Sequence, residues 1–577
     1  MIRKIDTNES KVEVAKREGR YLRGTIAETL DSDSASFGAA DVHQLKFHGT
    51  YQQDDRDRRR SLRDQGAGKA HQFMVRAAIP AGVLNAEQYL ALDTLGRQYA
   101  DGSLRVTTRQ GVQLHGVLKG DLKRAIARIN QTLLTTLSAC GDVGRNVMCC
   151  PAPLADSTHE TLRRLAREIA VALRPASRAY HEIWLDEERV VSTQDEEPFY
   201  GPQYLPRKFK TGIAPATDNC VDIFSYDCGL IALIEDGQAR GFNVVVGGGM
   251  GMTHGRPDTF AKLAEPLGRV SVEHAVETVR TVAAIFRDFG NRADRRHARL
   301  KYLIAEMGID RFRREFLSRV RFGLAASAPL PKMEYHDHLG HGPRGDGRHF
   351  YGVFIESGRI IDRGNRRLKT ALRTIVSRHR PGIRFTPGQN LLLTDLPEAA
   401  ISEIERTLID HGVQPVSELA AVRRYSMACP ALPTCGLALA ESERVMPKVL
   451  DRFECELDAL GLANEPITLR MTGCPNGCAR PYTADIAFVG RRPDEYHIYI
   501  GGGLTGDRMA DLYAADAHTD ELVELLRPLL QKWAEGRRPN EGLGDFYQRK
   551  LGRGSPRVSI TGDEQPTQQL IQLEIKR

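Results

Sequence analysis

The chain has 577 residues, 41% of them hydrophobic and 27% charged, enough for about three or four domains of ~150 residues, each with its own core. No apolar run approaches the ~18 residues needed to cross a bilayer, and the first segment, MIRKIDTNESKVEVAKREGRY, lacks the apolar stretch of a secretory leader, so a cytoplasmic protein is expected. The net charge of +7 does not by itself indicate nucleic acid, because the densest charged run, DDRDRRRSLRD at 54–64, mixes both signs as a solvated segment does.

Taken in order, residues 1–65 are polar, with Gly, Ser and Asp clusters, and read as a partly extended or mobile extension for partner docking. FMVRAAIP, SLRVTTRQGVQL, AYHEIWLD, FNVVVGG, HFYGVFIE, IRFTPGQNLLLTD, ITLRMTG, DIAFVG and YHIYIGG then read as strands, from β-branched and aromatic enrichment ended by Gly or Pro. THETLRRLAREIAVAL, ALAESERVMPKVLDRFECELDAL and TDELVELLRPLLQKWAEG carry helical periodicity. Strands and helices alternate, so the expected class is α+β or mixed α/β. The run NRADRRHARLKY, with Arg292, Arg295, Arg296, Arg299 and Lys301, reads as a basic helix face, either exposed or turned to an anionic cofactor.

An internal repeat organises the chain. SLRVTTRQGVQL at 103–114 and GIRFTPGQNLLL at 382–393 align at an offset of 279, placing Arg105 on Arg384, Thr107 on Thr386 and Gln110 on Gln389. The same offset puts Cys150-Pro151-Ala152 on Cys429-Pro430-Ala431, and FNVVVGGGMG echoes YHIYIGGGLTG. Two related halves, roughly 66–330 and 335–577, are expected about a pseudo-two-fold axis. VVVGGGMGMTHG is not a dinucleotide loop, because Gly249-x-Gly251-x-x-His254 lacks the third glycine. It reads instead as a turn closing on a planar cofactor or another backbone.

Four cysteines carry the most information: Cys429 and Cys435 in CPALPTC, and Cys474 and Cys478 in TGCPNGC. An all-cysteine set of four binds a cubane iron–sulfur cluster or a structural zinc. Zinc knuckles favour CxxC, whereas here Pro430, Pro433, Pro475, Gly473 and Gly477 shape open loops with longer gaps, which favours the cluster. Neither a Walker loop nor a flavin or nicotinamide motif is present, so electrons should come from a separate partner.

CPALPTCGLALAESER and TGCPNGCARP, with FHGTYQQDDRD, GSLRVTTRQ, GRNVMC, YLPRKFK and VGGGMGMTHG, resemble the sirohaem-dependent sulfite and nitrite reductases, nearest to the assimilatory NADPH-dependent kind. The resemblance implies a duplicated fold with the boundaries 66–145 plus 335–415 for a ferredoxin-like parachute domain, 146–334 for a first sirohaem domain and 416–577 for the [4Fe-4S]/sirohaem domain. It implies that Cys429, Cys435, Cys474 and Cys478 bind a [4Fe-4S] cluster, with Cys478 bridging to sirohaem, and that Arg105 and Arg109 bind sirohaem or line the anion pocket. Arg76, Arg145, Lys208 and Lys210 are expected around sulfite, and Cys149 and Cys150 as relics near the sirohaem. The implied donor is NADPH through a flavoprotein (alpha) subunit carrying FAD and FMN. Its rivals are a ferredoxin-dependent sulfite or nitrite reductase and, from another class, a cysteine–zinc nucleic-acid-binding protein.

Overall fold

A computed structural model describes residues 9–187 and 197–560 and the backbone of a short strand at Ile571–Gln572. Four five-stranded sheets form the frame. In the first, strand His71–Ala77 lies between Thr50–Asp54 and Val112–Val117, and Leu104–Val106 follows. Its last strand, Arg359–Ile360, comes from the second half of the chain. The second sheet reverses this exchange: Gly340–Pro343, His349–Val353, Leu391–Leu396 and Gly382–Phe385 are completed by Val83–Leu84 from the first half.

The other two sheets also match strand for strand. Met148–Cys149, Thr211–Pro215 and Cys228–Glu235 run parallel and are followed by antiparallel Gln238–Val246 and Glu265–Ser271. Ser426–Ala428, Leu469–Thr472 and Ile486–Arg492, then Glu495–Ile500 and Asp511–His518, repeat the pattern.

The pseudo-two-fold extends to single hydrogen bonds. Gln110, at φ 57°, accepts from the Cys149 amide and donates to the Phe385 carbonyl, both at 2.9 Å. Gln389, at φ 69°, accepts from the Ala428 amide and donates to the Val106 carbonyl. Each partner lies 279 residues from its counterpart, so the sequence repeat is a structural one. The turns around these glutamines divide SLRVTTRQGVQL and IRFTPGQNLLLTD into hairpins, where single strands were expected.

Four further expectations are corrected. AYHEIWLD is helical over Ala179–Leu185, because Tyr180, Ile183 and Trp184 fall on one buried face and the Trp184 indole donates to His48 Nδ1 at 3.0 Å. The basic run is a loop up to Arg299, with a helix beginning at Leu300. From Lys11 onward the polar N-terminal segment is packed rather than extended: helices Lys11–Glu18, Ile26–Leu30 and Ala39–Phe47 bury Leu22, Ile26, Phe37, Leu45 and Phe47, and Thr50–Asp54 joins a sheet. Residues 1–8 lie outside the described residues. The helix expected from Ala438 begins only at Met446, with Pro447 in its first turn.

One apolar cluster spans the two exchanged sheets and the sheet beginning at Met148–Cys149. A second joins Phe224, Tyr226 and Met250 of one half to Tyr482, Tyr499 and Met509 of the other. Across this junction Glu443 accepts from Arg105 at 2.9 Å and from Arg359 at 2.7 and 3.0 Å, and its amide donates to the Cys429 carbonyl. Although burial opposes ionisation, the two guanidiniums hold the Glu443 carboxyl down to about 2. Glu443→Ala strands two buried cations and should cost about 3–5 kcal/mol in urea unfolding. Because the folded value lies below the ordinary 4.5, the wild-type contribution is complete above that pH and is lost as pH falls towards 2. The stability gap between the two proteins should close over that window.

Candidate redox and anion site

Strand pairing assembles the cysteines. Ala428 lies opposite Met471 in adjacent parallel strands, so Cys429 and Cys474 emerge side by side at the carboxyl ends, where loops of such sheets open into sites. The Gly473 amide donates to Cys429 Sγ at 3.4 Å, and the Asn476 side-chain amide to Cys474 Sγ at 3.4 Å. A side chain at Gly473 would meet the Ala440 carbonyl at 2.5 Å and the Ala431 methyl at 2.6 Å, so only glycine fits there. Cys435 is turned inward by Ala431, at φ 50°, and its amide donates to the Ala431 carbonyl.

Sequence reasoning missed Arg56, which belongs to the charged run read as solvated. Its Nη1 donates to the carbonyls of Cys435 at 3.0 Å and Ala438 at 2.6 Å, clamping the first cysteine loop. The neighbouring Asp57 accepts from Arg444 at 2.6 Å. Only the pairing of an arginine with two carbonyls some 380 residues away marks it, and no local pattern signals that.

Cys429 and Cys474 are buried, Cys435 is half-buried and Cys478 is exposed. Burial and the neighbouring thiols raise Cys429 and Cys435 above the ordinary range and push Cys474 up to about 12. Gathering four ionisable thiols in so small a space is costly unless a cationic centre draws them into the thiolate form, so the donor set fits an iron–sulfur cluster.

The glycine-rich loop closes on this loop. The Met252 amide donates to the Pro475 carbonyl at 2.9 Å, and a side chain at Gly248 would meet the Phe224 carbonyl at 2.2 Å. Of the two partners expected for the turn, the structure shows backbone. Lys301 braces it from behind, donating to the carbonyls of Gly249, Gly251 and Phe260.

Lys208, which feels the Cys478 thiol, belongs to a chain of cations with few acidic partners among the described residues. Arg76, on strand His71–Ala77, donates to Cys140 Sγ at 3.0 Å and lies 5.9 Å from the Tyr51 ring centre, while its Nε has no partner. Arg145 donates to the Gly141 carbonyl at 2.6 Å. Lys208 and Lys210, in an extended segment, have no hydrogen bond or ion pair on their ammonium groups among the described residues. Burial, with Arg207 and Arg299 nearby, pulls Lys208 down to about 7, opposed by Cys478. Burial with Lys208, Arg299 and Arg109 pulls Lys210 well below its ordinary range. Asp227 fixes the segment, accepting from the Lys210 amide at 2.9 Å and from Arg299 at 2.8 Å.

Lys208 feels Cys478 and Arg145, Lys210 feels Lys208 and Arg109, and Arg76 and Arg145 both act on Tyr51. Arg105 and Arg109 lie four apart in a segment expected as one strand, which would place them on one face, but Arg109 lies in the turn after the strand, 5.1 Å from the Tyr226 ring centre and with its Nε unpartnered among the described residues. Arg105 turns to Glu443 and to the Ala428 carbonyl at 2.9 Å, bracing the strand that ends at Cys429. The basic run is largely consumed by acids remote in sequence: Arg292 pairs with Glu13, Arg295 with Asp142 and Arg299 with Asp227. Arg480 pairs with Asp222 and donates to the Thr108 carbonyl, joining the halves behind the pocket.

Comparison with known proteins agrees with this geometry. Residues 166–323 and 421–550 match the family described as the nitrite and sulphite reductase 4Fe-4S domain. Residues 65–132 and 342–411 match the nitrite/sulfite reductase ferredoxin-like half domain. The fold and site are therefore those of an iron–sulfur oxidoreductase. The chain belongs to the nitrite and sulphite reductase family, whose cofactor set, a [4Fe-4S] cluster and sirohaem, is the one the sequence pointed to.

It is 44% identical over 541 residues to the "Sulfite reductase [NADPH] hemoprotein beta-component" of Staphylococcus saprophyticus, covering 93% of this chain and 95% of that one. It is 45% identical over 545 residues to the protein of the same name from Geobacillus kaustophilus, covering 94% and 95%. The solved structure of the Mycobacterium tuberculosis NirA protein superposes with a TM-score of 0.72 at 24% identity, covering 93% of this chain and 95% of that one, a likeness of fold. Among the described residues no helix is long and apolar enough to cross a membrane.

Proposed function

We propose that this chain carries out the six-electron reduction of sulfite to sulfide, holding a [4Fe-4S] cluster on Cys429, Cys435, Cys474 and Cys478 and a sirohaem linked to it through Cys478. We further propose that it works in the cytoplasm, in sulfur assimilation for cysteine synthesis, and takes electrons from NADPH through a separate FAD- and FMN-containing flavoprotein subunit. The observation that supports this reading is Lys208, within the field of the exposed Cys478 thiol and, like Lys210, without an acidic partner among the described residues. The names of the relatives support sulfite over nitrite and NADPH over ferredoxin.

Bound there, the cofactors supply an iron for the sulfur atom and the electrons that reduce it. The protein supplies charge and protons. Arg76 and Arg145 grip the oxyanion oxygens, compensating negative charge there. Lys208, poised near neutrality, and Lys210, held well below its ordinary range, gain protons when an anion arrives and pass them to oxygens leaving as water. Arg109, whose Nε has no partner among the described residues, is suited to a carboxylate of sirohaem.

The test is the visible spectrum of the purified protein, reduced anaerobically with and without sulfite. A Soret band and a red isobacteriochlorin band, both moving on sulfite addition, are expected. Protein that stays colourless and free of iron when made with sirohaem precursor and iron overturns the reading.

A further inference from the structure

The pseudo-two-fold has a second set of cysteines on its other side. Strands Met148–Cys149 and Thr211–Pro215 pair with Cys149 opposite Ile213, as Ser426–Ala428 and Leu469–Thr472 pair with Ala428 opposite Met471. The following loops end in matching turns, Ile223–Ser225 and Pro481–Thr483, each led by a residue in the left-handed region, Asp222 at φ 54° and Arg480 at φ 53°. Counting from these anchors, Cys150 falls on Cys429, Cys220 on Cys478, Asp218 on Asn476 and Ala216 on Cys474. The first half has therefore kept two of four thiols and replaced the rest of the set.

Cys150, Asp218, Cys220 and His338 each direct a ligand atom into one small volume, all four within 4.8 Å of one another. Cys150 Sγ lies 3.2 Å from Asp218 Oδ2 and 4.0 Å from His338 Nε2, and His338 Nε2 lies 3.1 Å from Asp218 Oδ2. The first three residues are buried, at 2%, 5% and 2% exposure, and the His338 side chain is 11% exposed. The other Asp218 oxygen, Oδ1, accepts from the amides of Cys220 at 3.0 Å and His336 at 3.3 Å, leaving Oδ2 aimed at the thiol and imidazole. His338 has φ 57°, a conformation side chains other than glycine seldom adopt, and it delivers the ring to this point.

We propose that Cys150, Asp218, Cys220 and His338 form a four-ligand site for a zinc-class divalent metal, separate from the cluster. Two thiolates, an imidazole and a carboxylate are a borderline-soft set matched to tetrahedral zinc. With four protein ligands and protein on every side, the site is structural and keeps no open position for substrate. A divalent ion also supplies the charge that two buried thiols and a carboxylate otherwise lack, and binding releases the thiol protons. His159 stands just outside the site, its Nδ1 held by Asp156 at 2.8 Å.

The sites differ in what they join. Cys150 and the 218–220 loop belong to the first half, whereas His338 lies at the start of the second, beside strand Gly340–Pro343. That segment is already tied to the loop by the Asn219 amide, which donates to the Glu334 carbonyl at 2.8 Å. The metal would fasten the start of the second half to the first. The inference rests on these side chains alone and stands whichever oxyanion the enzyme reduces.

The test uses the intact holoenzyme, made in medium containing both iron and zinc. About one zinc per chain is expected in addition to the iron, with a zinc-edge X-ray absorption shell of two sulfurs at ~2.3 Å and two nitrogen or oxygen atoms at ~2.0 Å. A Cys220→Ala, His338→Ala double variant should lose the zinc while keeping its iron and haem bands. A holoenzyme without zinc, a Cys150–Cys220 disulfide in the non-reduced peptide map, or an unchanged zinc content in the variant overturns the proposal. Should the variant fail to fold, the wild-type absorption shell decides: four sulfurs would place the ion in the Cys429–Cys478 loops and refute the site.

Discussion

Cys478→Ser enzyme should make no sulfide above background and should lose the absorption bands of a coupled haem and cluster, while its far-ultraviolet circular dichroism stays that of the native fold. Serine is nearly the same size, and the local backbone is held independently of the thiol. The Cys478 carbonyl accepts from Thr108 Oγ1 at 3.1 Å, and Gly477 takes its φ of 62° against the Met250 carbonyl. What is lost is the chemistry, since a hydroxyl does not ionise near neutral pH and is a poor iron ligand. Cys455→Ser, at the exposed cysteine of helix Met446–Ala459, serves as the control and should behave as wild type. Full bands and turnover in the Cys478 variant would remove the bridging assignment.

Lys210→Met should load both cofactors normally and lower turnover by about 10²–10³, the range for losing one charged donor at a reacting oxyanion. Methionine fills the same volume without charge, so a drop in iron content or a broad fall in melting temperature would point to a structural role instead. The companion residue provides a pH signature. Lys208 is pulled down to about 7, so it loses its proton as pH rises through neutrality, and the KM for sulfite should climb above that point. Sulfite's own ionisation contributes in the same range, and Lys208→Arg separates the two. An arginine stays charged, leaving only the substrate's titration and a shallower profile. Identical profiles for wild type and Lys208→Arg would show that the lysine does not titrate in the cycle.

The strands were legible where composition and turn chemistry agreed, as in FNVVVGG, DIAFVG and YHIYIGG. They were misread where a turn used unusual residues. Thr107–Gly111 reverses the chain with Gln110 rather than an Asn-Gly pair in the left-handed conformation, so its hairpin looked like one strand. AYHEIWLD failed for the opposite reason, its aromatic residues serving one face of a helix packed on His48. The cysteine loops were legible because ligand spacing is local. Arg56 and the acids that neutralise Arg292, Arg295 and Arg299 were not, because those contacts exist only once distant segments meet. The repeat signalled Cys150 as the counterpart of Cys429, but Cys220, Asp218 and His338 come from separate loops, so their convergence had no sequence signature.

The reciprocal exchange of edge strands also bears on how the chain must be made. Leu104–Val106 leaves the ribosome long before Arg359–Ile360, the strand that covers it. The interval is about 250 residues, or roughly 10–50 s at ordinary elongation rates. Throughout it, the nascent first sheet presents an open row of amides and carbonyls able to pair with another chain. Val83–Leu84 in turn waits for Gly382–Phe385. Neither half is a finished folding unit when its own last residue appears, and a product truncated near residue 330 would be a sticky, aggregation-prone species rather than a miniature enzyme.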